Sequence, residues 1–128
     1  MDARVDQMEA QIEAQAVRLL ALRQPLALDL RETIAALKIS ADLERIGDLA
    51  KNVAKRALVV SREAPDQNLT QALARMGRQS LMQVKNVLDA YAQRDANAAM
   101  TVWKRDGEID TDLARIHQGL RQGVYEVT

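Results

Sequence analysis

The chain has 128 residues, contains no cysteine, and balances 18 acidic residues with 18 lysines and arginines. The lack of cysteine excludes disulfides, thiolate zinc sites and cysteine nucleophiles, and zero formal net charge is not the basic excess typical of nucleic-acid binding. Helix-forming residues dominate, aromatic residues make up 2%, and no apolar run reaches the ~20 residues of a membrane span. With a charged start unlike a signal peptide, we expect an all-α cytoplasmic protein.

The first predicted helix runs from about residue 2 to residue 23, where Pro25 then breaks the pattern. Apolar residues recur at three- and four-residue steps and predict one buried stripe, formed by Val5, Met8, Ile12, Ala16 and Leu19. The second predicted helix, about residues 26–60, has stripes on two nearly opposite sides, so we expect it to be packed on both. One stripe is Leu30, Ile34 and Leu37; the other is Ile39, Leu43, Ile46, Ala50, Val53 and Ala57.

A loop is predicted over residues 61–68, because turn-forming residues cluster there. A third helix is predicted from about residue 69 to 92, followed by a short break at Arg94 and Asp95. Asp95 is the predicted N-cap of a fourth helix, which is expected to continue from about residue 96 to near the C-terminus.

Pairs of carboxylates recur at one helical spacing. Glu44 and Asp48 are four residues apart on the second predicted helix, where two like charges weaken a helix by roughly 0.2–0.5 kcal/mol unless a cation neutralises them. The pattern D-x-x-[VI]-D occurs twice and suggests an internal duplication. Its two copies are Asp2–Asp6 and Asp106–Asp110.

These features resemble the PhoU family, the phosphate-signalling regulators of bacteria. The resemblance rests on P-L-A-L-D-L-R at residues 25–31, on D-L-E-R-I-G-D at residues 42–48 with Asn52, and on the two D-x-x-[VI]-D copies. It covers essentially the whole chain and implies two tandem three-helix bundles. Residues 1–61 would then be the second and third helices of the first bundle, and residues 62–128 the first two helices of the second.

The resemblance therefore implies that the first and last helices of the family are absent, as in a fragment or a naturally short form. We expect a four-helix, PhoU-like antiparallel bundle, with exchange of helices between chains as an open alternative. Because two helices cannot bury both apolar faces of each bundle, we also expect a homodimer or a swapped oligomer.

A metal site is predicted where the first two helices meet, since oxygen ligands suit hard cations and the resemblance implies metal ions or clusters on these motifs. The ion would be Fe, Mn, Mg or Zn. The predicted ligands are Asp2, Asp6, Glu44, Asp48 and, with less support because they lack a partner helix, Asp106 and Asp110. Two alternatives stay open: each pair is a solvated helix flank, or Arg45 neutralises the central pair.

No catalytic residue is predicted. His117 does not complete a Glu-x-x-His motif, because position 114 is Ala, and Trp103 is expected at an interface edge. The resemblance implies a cytoplasmic adaptor that couples a phosphate ABC transporter to a sensor histidine kinase and restrains the phosphate-starvation response. Two alternatives are a carboxylate-bridged metal enzyme and a plain helical dimerisation module.

Overall fold

A computed structural model describes residues 2–23, 27–60 and 67–126. Every regular element in these ranges is an α-helix, which confirms the all-α prediction. The helices, in chain order, are α1 (Asp2–Arg23), α2 (Ala27–Val60), α3 (Gln67–Gln93), α4 (Ala96–Lys104) and α5 (Asp106–Glu126).

The helix ends agree closely with the periodicity of the sequence. The predicted break at Pro25 and most of the predicted loop lie outside the described residues, although Gln67 and Asn68 already belong to α3. The predicted N-cap is confirmed: the backbone N–H of Ala98 donates to Oδ1 of Asp95 at 2.9 Å. Arg94, just before the cap, has φ 56°, so the chain reverses at this left-handed residue.

The predicted fourth helix is interrupted at Arg105, so the expectation of one continuous helix is wrong at this point. The backbone N–H of Arg105 donates to the carbonyl of Val102 at 3.0 Å, and the N–H of Glu108 donates to the carbonyl of Arg105 at 3.0 Å. These are the tighter three-residue bonds of a 3₁₀ turn. The side-chain amide of Gln83 donates to the same Arg105 carbonyl at 3.2 Å and ties the interruption to α3.

The chain forms two compact units, unit 1 (Met1–Glu63) and unit 2 (Ala64–Thr128). In unit 1, α1 packs against α2; in unit 2, α4 and α5 both pack against α3. The helices run antiparallel within each unit, because Val5, early in α1, lies beside Gly47 of α2, and Arg75 of α3 reaches Asp112 of α5. The assignment of the units to particular helices of the family bundles stays a prediction.

Few side chains are buried, and this corrects the predicted stripes. Among the residues whose burial the structure describes, the buried ones are Ala16, Ser40, Ala90, Asp112 and Ile116. Of the stripe predicted for the first helix, only Ala16 is buried, and Met8, Ile12 and Leu19 are exposed. The α2 stripe is exposed from Ile46 to Ala57, because α1 packs on the side of α2 that carries Ser40 and Gly47.

Candidate metal centre

Glu44 lies half-buried on the side of α2 that faces α1. Its partial burial raises the pKa of the carboxyl group, and the negative charges of Asp48, Glu9 and Asp6 raise that pKa further. Burial removes water that would solvate the ionised carboxylate, and nearby negative charges disfavour this ionised form by repulsion. Acidic side chains from two helices therefore converge around Glu44.

Of the other predicted ligands, Asp6 and Asp48 lie near enough to Glu44 to raise the pKa of its carboxyl group. A side-chain interaction with Asp48 also contributes to the raised pKa of Glu44. Asp2 begins α1, but its side chain lies outside the described part of the chain.

Glu9 was not predicted as part of this cluster. It lies three residues after Asp6, on the same side of α1, and it is half-buried. The signal in the sequence was therefore present: a third acidic residue at helical spacing from Asp6.

The chemistry of the cluster suits a hard cation, since carboxylate oxygens are the ligands that such ions prefer. The cluster does not, however, form a complete set of metal ligands. Among the side chains that the structure describes, no three His, Cys, Asp or Glu residues form a group that could hold a metal ion. The metal site therefore stays a prediction, supported by charge and not by an assembled ligand set.

Gly47 lies one residue before Asp48 in the middle of α2, a position where glycine often indicates close approach by another element. The neighbour is α1, but a Cβ built at Gly47 would lie 3.8 Å from Cγ1 of Val5. That is ordinary van der Waals separation. The contact is present, yet it leaves room for a methyl group, so packing alone does not require glycine here.

The second predicted acidic pair lies in unit 2. Asp106 and Asp110 are both exposed on α5. The buried carboxylate of this unit is Asp112, which sequence reasoning missed. Its Oδ2 lies 3.6 Å from Nε of Arg75, and its Oδ1 lies 3.6 Å from Nη1 of Arg115, so two cations neutralise it.

A groove of about 510 Å³ runs between α3 and the α4–α5 segment. Amide side chains line much of it, among them Gln79, Gln83 and Gln93. The side-chain oxygen of Gln79 is buried and accepts no hydrogen bond from the described residues. Trp103 lies outside this groove and is 72% exposed, in keeping with an edge position, and His117 is exposed on α5.

Comparison with known proteins connects both units to one family. The family model described as PhoU domain matches twice, over residues 1–57 and residues 73–122. The chain belongs to the PhoU family. The first matched segment falls in unit 1 and the second in unit 2. The duplication suggested by the repeated D-x-x-[VI]-D pattern stays a prediction.

Individual relatives agree with this assignment. The phosphate-specific transport system accessory protein PhoU homolog of Caulobacter vibrioides is 50% identical over 93% of this chain and 52% of its own length. The homolog of Rhizobium meliloti is 43% identical over 85% of this chain and 46% of its own length. The crystal structure of PhoU from Pseudomonas aeruginosa superposes with a TM-score of 0.92 at 37% identity, covering 98% of this chain and 60% of that one.

The chain thus spans about half the length of the curated PhoU relatives that it matches. Among the residues that the structure describes, no helix combines the length and the apolar character needed to cross a membrane.

Proposed function

We propose that this chain acts as a PhoU-type accessory regulator of phosphate transport. The observation that carries the proposal is the double match of the PhoU domain, one copy in each unit. The relatives named as accessory proteins of the phosphate-specific transport system support it, since the identity reaches 50% over nearly the whole chain.

In its finer form, the proposal is a cytoplasmic adaptor between a phosphate ABC transporter and a sensor histidine kinase, which restrains the phosphate-starvation response. Large apolar side chains exposed on the helices, such as Leu81, Met82 and Trp103, favour this role over catalysis. Exposed apolar patches on helical surfaces are typical of protein recognition.

The test is complementation in a bacterium that lacks its own PhoU protein and carries a reporter of phosphate starvation. We expect the chain to lower reporter activity in phosphate-rich medium, as the full-length Caulobacter homologue should, and to leave it high in phosphate-poor medium. A reporter that stays at the empty-vector level, although the folded chain is present in the cells, would contradict the regulatory role.

We also propose that the cluster around Glu44 attracts a hard metal ion, such as Fe, Mn, Mg or Zn. Its support is the excess of negative charge at Glu44, which Asp6, Glu9 and Asp48 create together. When bound, the ion would neutralise these carboxylates in a structural or regulatory role.

Metal content can be measured by elemental analysis after dialysis against each metal. We expect retained metal in the native chain, loss in the Glu44→Gln/Asp48→Asn double variant, and no change in the Asp106→Asn/Asp110→Asn control. A native chain that retains no metal would leave the acidic pairs as solvated helix flanks. Turnover of a substrate by the loaded chain, which we do not expect, would favour the enzyme alternative.

A further inference from the structure

We draw no further inference here: the strongest candidate, the groove between α3 and the α4–α5 segment, carries none, because nothing in the structure shows what covers it and the chain spans only about half the length of the relatives that it matches.

Discussion

Both units match the PhoU domain model, yet the surroundings of their least exposed carboxylates have opposite charge. In unit 1, the pKa of Glu44 on α2 is raised by partial burial and by the negative charges of Asp48, Glu9 and Asp6. In unit 2, the buried carboxylate of Asp112 lies between Arg75 and Arg115. The difference shows that a helical hairpin tolerates both a carboxylate placed between two arginines and a carboxylate whose pKa is raised by acidic neighbours.

The packing at the two contacts also differs. The buried residues of unit 1 are the small Ala16 and Ser40, whereas unit 2 buries Ile116 as well as Ala90 and Asp112. Unit 2 therefore has the larger apolar anchor. We expect substitutions in unit 2 to cost more stability than substitutions in unit 1.

The largest expected effect is at the apolar anchor of unit 2. Ile116→Ala should lower the free energy of unfolding by about 2–4 kcal/mol, because it removes buried methyl groups and leaves a cavity. Urea denaturation followed by circular dichroism measures this change. Leu120→Ala is the control, since Leu120 is exposed on the same helix. An equal loss in both variants would contradict the assignment of Ile116 to the core.

A smaller loss is expected when the neutralised carboxylate is removed. Asp112→Asn should destabilise the chain by about 1 kcal/mol, because it removes the negative charge of a buried side chain that forms ion pairs with two arginines. The same denaturation experiment, in metal-free buffer, measures it. Asp110→Asn, at an exposed position of α5, should have little effect. A gain in stability from Asp112→Asn would mean that the two arginines do not compensate for its burial.

One substitution in unit 1 is expected to raise the free energy of unfolding. Gly47→Ala is expected to stabilise the chain by about 0.5–1 kcal/mol, because alanine favours the helix and its methyl group meets Val5 at ordinary separation. Gly119→Ala, where nothing lies within 4 Å of the added Cβ, measures the gain from helix propensity alone. A loss at Gly47 with a gain at Gly119 would show that α1 and α2 approach more closely than described.

The smallest expected effect concerns pH. The pKa of Glu44 in the folded chain is raised above its ordinary 4.5, so the folded state holds this proton more tightly than the unfolded state. The charged Glu44 carboxylate therefore lowers the free energy of unfolding. This loss is complete above the folded-state pKa and is relieved as the pH falls through that pKa towards 4.5.

Glu44→Gln should therefore stabilise the metal-free chain at pH 7 and flatten the dependence of unfolding on pH between neutrality and about pH 4.5. Glu13→Gln, a change at an exposed glutamate of α1, is the control. Identical pH profiles for the native chain and Glu44→Gln would contradict the effect of the neighbouring carboxylates.

The helix positions of this structure could largely be predicted from the sequence. Helix periodicity placed α1 at residues 2–23 and α2 within one residue of its observed start, and Asp95 was identified as an N-cap from its place before a helix-forming run. The sequence spacing also indicated that Asp6 and Asp48 would lie near Glu44, and both raise its pKa; that these residues hold a metal ion stays a prediction. These are local properties, since a repeat or a cap depends on residues within a few positions of one another.

The stripes alone could not show which face each helix would bury. Val53 and Ser40 both lie on α2, yet the apolar Val53 is exposed and the polar Ser40 is buried, because α1 packs on the side of α2 that carries Gly47 and Ser40 lies on that same side. Likewise, only the pairing of α3 with α5 brought Arg75 to Asp112, and Gln83 to the interruption at Arg105. Sequence determined the helices, their family and their candidate ligands; tertiary structure decided which side chains meet, since burial depends on neighbours that are distant along the chain.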